Sequence, residues 1–181
     1  MQPGAQGDSR PLSDDGPHLD VLLAEDQPVN QKLVAAVMER LGHRLAIASN
    51  GAEAVRALRA GRYDLVLMDI QMPEMDGILA TKIIRAADED WRTIPIVALT
   101  AHAMEHHRQS YLAAGMDGFV AKPFKIDMLI AEMTRVLVRA ASDDGPAGAT
   151  HHSARADEAR PHTRHAALLD DAVKDLDSLL G

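Results

Sequence analysis

The run DLVLMDIQMPEMDG, residues 64–77, constrains the fold more than any other stretch of the chain. Leu65, Val66, Leu67 and Met68 are apolar without alternation, which suits a strand buried on both faces of a sheet. The run stops at a carboxylate, Asp69, and the residues after it cannot continue a strand. Pro73 has no amide donor, and Asp76 and Gly77 are turn and helix-entry residues. Asp69 is therefore expected to sit exposed where a buried strand breaks into a loop. Alone, such an acid is a helix cap or a solvated loop residue; its meaning depends on what the rest of the chain brings to it.

Four further short apolar runs alternate with helical patterns. Residues 19–24 end at Glu25 and Asp26, residues 45–48 at Ser49 and Asn50, residues 95–99 at Thr100, and residues 119–121 at Lys122 and Pro123. After the first run, Val29, Leu33, Ala36, Val37 and Leu41 recur at helical spacing and predict one buried face, with Pro28 in the first turn. Val55 and Leu58 mark the second helix, which Asn50 and Glu53 open at capping-box spacing, and Ile78, Leu79, Ile83 and Ile84 mark the third, capped by Asp76. The fourth, residues 104–114, is polar along residues 105–109 and is expected to pack less firmly; the fifth turns Ile126, Leu129, Ile130, Met133 and Leu137 inward. Gly42 stands where a left-handed cap ends a helix, and Gly61 and Gly115 end theirs. Five strand–helix units within roughly 120 residues imply an α/β domain: a doubly wound five-stranded parallel sheet, order 2-1-3-4-5, flanked by five helices, with its ligand site at the carboxyl ends of the strands.

The domain is expected over residues 18–140. Residues 1–17 read as a disordered leader, 141–165 as a flexible linker, and 166–181 as a short amphipathic helix whose stripe, residues 168–180, folds back or docks elsewhere. His102, His106 and His107 are expected to be exposed on the fourth helix, and His151, His152, His162 and His165 to be solvated.

The strand ends converge three acids, a hydroxyl and an ammonium: Glu25 and Asp26, Asp69, Thr100 and Lys122. Three carboxylates repel one another unless a hard cation compensates, and oxygen ligands without a full cage suit Mg²⁺. The metal set is Glu25, Asp26, Asp69 and the backbone carbonyl of Gln71. A carboxylate beside Mg²⁺ and facing a Lys and a Thr can accept a phosphoryl group, so Asp69 is the expected nucleophile, with Lys122 on the transferring oxygens and Thr100 on the acyl phosphate afterwards. The net charge of −8, without a long basic run, weighs against a nucleic-acid partner. The chain has no Cys, which removes thiolate chemistry, and no apolar run of membrane-span length, so a cytoplasmic protein is expected.

Four motifs then make the chain recognisable. VLLAED ending at Asp26, LVLMDIQMPEMDG around Asp69, PIVALTA around Thr100 and GMDGFVAKPF around Lys122 resemble the receiver domain of two-component response regulators; VNQKL and ALTAHAM resemble most the receivers of hybrid histidine kinases. The resemblance implies that Asp69 is the phosphoacceptor of a phosphorelay, Glu25 and Asp26 the acidic pair, Gln71 the carbonyl ligand, Thr100 the switch hydroxyl, Lys122 the phosphate-binding lysine, Phe119 the switch aromatic and Lys122–Pro123 a cis bond. Glu25 replaces a more usual Asp, which points to metal-bound water for Glu25 and direct ligation for Asp26. Phe119 carries no hydroxyl, so its switching is by ring burial alone.

The partners so implied are a histidine kinase or histidine phosphotransfer protein and a downstream protein meeting the fourth helix, fifth strand and fifth helix, with a homodimer left open. Such a domain catalyses its own phosphorylation and dephosphorylation and is not a turnover enzyme. It is expected to be a stand-alone receiver or a separated receiver of a hybrid relay. A phosphatase with an Asp nucleophile needs an acid at position 71, and a flavodoxin-like binder needs a phosphate loop where this chain has acids. An unphosphorylated receiver-like scaffold is the alternative.

Overall fold

The computed structural model describes residues 18–102 and 104–143. The chain alternates β1 (Asp20–Ala24), α1 (Pro28–Arg40), β2 (Arg44–Ala48), α2 (Gly51–Ala60), β3 (Leu65–Asp69), α3 (Gly77–Ala86), a 3-10 turn (Asp90–Thr93), β4 (Ile96–Thr100), α4 (Glu105–Ala114), β5 (Gly118–Ala121) and α5 (Ile126–Asp143). All strand pairs are parallel and the sheet order is β2-β1-β3-β4-β5, as the alternation implied. The last helix runs to Asp143, past the expected boundary at 140. The leader, most of the linker, the C-terminal stripe and the four tail histidines lie outside the described residues.

Alternate residues of the central strands feed two cores. Val21, Leu23, Leu65, Leu67, Val97 and Leu99 meet α1 and α5, whereas Leu22, Val66, Met68, Ile96 and Ala98 meet α2, α3 and α4. Burial on both faces is what the unbroken apolar runs demanded.

The faces of α1 and α3 differ from those expected, whereas α5 keeps its expected face with one change. On α1 the buried residues are Val34, Val37 and Met38, with Leu41 packed beside them, while Val29, Leu33 and Ala36 are exposed. Two stripes share Val37 and Leu41, and the sheet takes the one with i, i+3, i+4, i+7 spacing. On α3, Gly77, Ala80, Thr81 and Ile84 are buried, Ile78 and Ile83 are partly buried, and Leu79 is exposed. Small residues are needed there because α2 and α3 approach closely: a Cβ at Gly51 would lie 2.8 Å from Ala80 Cβ. On α5, Ile126 is exposed and Val136 joins the inward row.

The helix ends follow their sequence signals with one exception. Gly42 (φ +71°) and Gly115 (φ +97°) are left-handed, and the Asn50 and Asp76 side chains accept from the amides of Glu53 and Leu79 at 2.8 and 2.7 Å. Glu53 returns its bond to the Ser49 amide, 2.7 Å, one residue before the cap. Gly61 ends α2 in extended rather than left-handed backbone, its amide bonded to Ala57. The C-terminal end of α4 is tied down by Arg85 of α3, which donates to the Gly115 carbonyl at 2.8 Å and to Asp117 at 2.9 Å. Burial among these partners lowers the Arg85 pKa, and Asp117 opposes that shift.

Candidate functional site

The sheet's direction of winding reverses between β1 and β3, and the acids lie at the carboxyl end of that crevice. Ladder bonds continue past the strand ends and fix the residues beyond them. The Glu25 amide donates to Ala48 O at 3.0 Å, Ile70 to Leu99 O at 3.0 Å, and Lys122 to Thr100 O at 2.6 Å. The Lys122–Pro123 bond is cis.

Carboxylate oxygens of Glu25, Asp26 and Asp69 lie within 4.8 Å of one another. Lys122 Nζ is 2.7 Å from Glu25 Oε2 and 3.0 Å from Asp69 Oδ2. Asp69 is not exposed as expected: only 4% of it is accessible, and Glu25 is fully buried. The ammonium accounts for part of this enclosure, and the backbone supplies more. The Gln71 amide donates to Asp69 Oδ1 at 3.2 Å, and the Gly77 amide donates to Ile70 O at 3.0 Å, folding the loop back over the strand end.

Glu25 is fixed at both oxygens, since Oε1 accepts from the Gln27 amide at 3.0 Å while Oε2 holds Lys122. Asp26 is partly exposed and accepts from the Gln27 side chain at 3.1 Å. Burial raises the Asp69 pKa above the ordinary carboxylate value; the Lys122 hydrogen bond opposes this and the Glu25 charge reinforces it. Three acids against one ammonium leave excess negative charge among oxygen donors. A hard divalent cation such as Mg²⁺ fits that donor set.

Gly77 allows this closure. A Cβ there would run into the Asp69 carbonyl oxygen and lie 2.9 Å from Met68 Cγ. Gly77→Ala is expected to cost about 2–3 kcal/mol, because neither the buried strand nor the loop bonded to it can retreat freely. Urea unfolding of the two proteins measures this; an unchanged midpoint would mean that the loop yields.

Thr100 reaches the site's edge, but its hydroxyl is engaged elsewhere. Oγ1 lies 2.7 Å from the Tyr111 phenol oxygen, donates to or accepts from it, and exchanges bonds with the backbone of His102 at 3.0 and 3.1 Å. Phe119 is half-buried on the α2–α3–α4 side, with the Arg108 guanidinium 5.7 Å from its ring centre. Of the expected histidines, His102 lies ahead of α4 and is exposed, its ring 5.3 Å from that of His107, which is half-buried rather than exposed; the His106 side chain lies outside the described residues. Sequence reasoning passed over Tyr111, although a lone aromatic in a polar helix was the available signal.

Comparison with known proteins agrees with this geometry. Residues 21–134 match the family model of the response regulator receiver domain. The sensor protein GacS of Pseudomonas syringae is 45% identical over 115 residues, 62% of this chain, and the kinase BarA of Escherichia coli is 38% identical over 109 residues, 60% of this chain. The matches cover only 12% of either kinase. Among solved structures, the receiver domain of the sensor histidine kinase PA1611 from Pseudomonas aeruginosa is similar at 42% identity and a TM-score of 0.61, over 66% of this chain and 97% of that one. That structure holds a magnesium ion coordinated in its active-site cleft. Chemotaxis protein CheY4 of Vibrio cholerae is similar at 27% identity and a TM-score of 0.62, over 66% and 98% of the two chains. With the sheet order, the acidic cluster and the family match together, the chain belongs to the response regulator receiver family, the phosphoacceptor domains of two-component phosphorelays.

Proposed function

We propose that Asp69 takes a phosphoryl group from a phosphohistidine and that the acyl phosphate resets a protein-interaction surface. The observation that carries this reading is the enclosure of Asp69 between Lys122 Nζ at 3.0 Å and the Gln71 amide at 3.2 Å, inside a cluster of three carboxylates. An Asp69 oxygen attacks phosphorus, a P–O bond forms, the P–N bond breaks, and the departing imidazole takes up a proton. Lys122, anchored by Glu25, supplies positive charge at the transferring oxygens. Glu25, Asp26, Asp69 and the Gln71 carbonyl would hold Mg²⁺, directly or through water. Bound there, Mg²⁺ would neutralise charge on the phosphoryl oxygens. The chain speeds its own phosphorylation and dephosphorylation in this reading and turns over no separate substrate.

The donor is a histidine kinase or histidine phosphotransfer protein. The output surface is α4, β5 and α5, where Met104, Leu112, Ile126 and Met128 are apolar and exposed, and a self-association would use the same face. The chain's net charge of −8, without a long basic run, weighs against a nucleic-acid partner. No described helix is long and apolar enough to cross a membrane.

Incubation with a radiolabelled phosphohistidine phosphotransfer domain tests the reading. Label is expected to leave the histidine and appear on this chain in Mg²⁺ but not in EDTA. Label that stays on the histidine of every such donor tried, with this chain folded, would favour the scaffold alternative.

A further inference from the structure

Thr100, Tyr111 and the His102 backbone form a closed hydrogen-bonded ring on the buried side of the β4–α4 connection. Thr100 Oγ1 and the Tyr111 phenol are 2.7 Å apart, each lies 3.1 Å from the His102 carbonyl, and the His102 amide donates to Thr100 Oγ1 at 3.0 Å. Each hydroxyl has one proton. If Tyr111 donates to Thr100, Thr100 donates to the carbonyl; if Thr100 donates to Tyr111, Tyr111 does. In both arrangements the Thr100 proton is spent inside the ring. Tyr111 is 3% accessible and Thr100 1%, so water does not readily substitute for either partner.

We propose that Tyr111 is a positioning residue for the switch: it latches the Thr100 hydroxyl away from Asp69, and phosphorylation must open this latch before α4 can move. The inference rests on the phosphoacceptor reading of Asp69. An acyl phosphate competes for the Thr100 proton, and its oxygens are stronger acceptors than a neutral carbonyl or phenol. When Thr100 turns toward it, the tie between the end of β4 and the middle of α4 is lost. The C-terminal end of α4 stays fixed through the Arg85 bonds to Gly115 and Asp117, whereas Met104 caps the other end without a side-chain hydrogen bond. Phe119, with no hydroxyl, cannot exchange hydrogen bonds with Thr100, and Tyr111 supplies a phenol from the helix instead.

The test uses the full chain with Mg²⁺ and beryllofluoride as the acyl-phosphate mimic, monitored through the backbone amide resonances of residues 101–114. Tyr111→Phe keeps the ring packing and removes the competing hydroxyl, so half-saturation is expected at about fivefold lower beryllofluoride, the worth of one ordinary hydrogen bond. In a Thr100→Val background the same substitution is expected to change nothing, because the latch acts through the Thr100 hydroxyl. Equal half-saturation for Tyr111→Phe and wild type would overturn the latch. So would an undiminished shift with Thr100→Val, which would mark Tyr111 as a packing residue. A folded wild-type chain that gives no response to beryllofluoride would overturn the phosphoacceptor reading itself, and the latch with it.

Discussion

Lys122→Met is expected to abolish phosphoryl uptake and to lower metal-free stability at neutral pH by about 3–5 kcal/mol, the cost of removing one partner from a buried ion cluster. Lys122 is the cation that contacts both Glu25, at 2.7 Å, and Asp69, at 3.0 Å, and those two carboxylates are almost wholly shielded from water. Methionine keeps the stem and the packing, so the loss isolates the charge. Without the ammonium the forces raising the Asp69 pKa, burial first and then the Glu25 charge, act unopposed by their main counterweight. A raised carboxyl pKa in the folded state favours folding at low pH, and that contribution is lost as pH rises through the folded value. The deficit of Lys122→Met should therefore shrink on acidification as Asp69 takes up a proton. Guanidinium unfolding in EDTA at several pH values measures both parts; a pH-independent deficit would mean that lost packing and not lost charge is responsible.

Asp69→Asn is expected to separate function from stability. The substitution removes the proposed nucleophile, so no phosphoryl group should be accepted, yet the metal-free protein should be more stable than wild type at neutral pH. Burial raises the Asp69 pKa despite Lys122, which means that ionising Asp69 costs the folded state more than it costs the unfolded chain. Asparagine carries no such penalty, and Lys122 keeps Glu25 as its partner. The gain should be largest at neutral pH, shrink as pH falls through the raised Asp69 value and be gone below the ordinary carboxylate range, where wild-type Asp69 is protonated in both states. A less stable Asp69→Asn at neutral pH would show that the Lys122–Asp69 attraction outweighs the burial.

Much of the fold was legible from residue order. Chain-local signals carried the elements: an apolar run ended by a polar residue gave each strand and its end, and Asp76, Asn50 and Gly42 marked helix ends that the structure reproduces. The parallel order could be inferred because short crossovers permit few alternatives. What escaped depends on distances between elements. The faces of α1 and α3 were misjudged at Val29, Leu33 and Leu79 because periodicity defines stripes but not which of two overlapping stripes meets the sheet. Asp69 was expected in water because its own sequence neighbours are loop formers; it is enclosed by Lys122, more than fifty residues later in the chain. The Tyr111 contact with Thr100 crosses from helix to strand and leaves no mark on either local pattern.

The most direct test is intact mass after incubation with Mg²⁺ and a small-molecule phosphodonor, for wild type and Asp69→Asn side by side. Wild type is expected to gain a single phosphoryl group that EDTA prevents and that peptide mapping places on Asp69, while Asp69→Asn gains none. A folded wild-type chain with no Mg²⁺-dependent adduct, or an equal adduct on Asp69→Asn, would contradict the assignment of Asp69 as the phosphoacceptor.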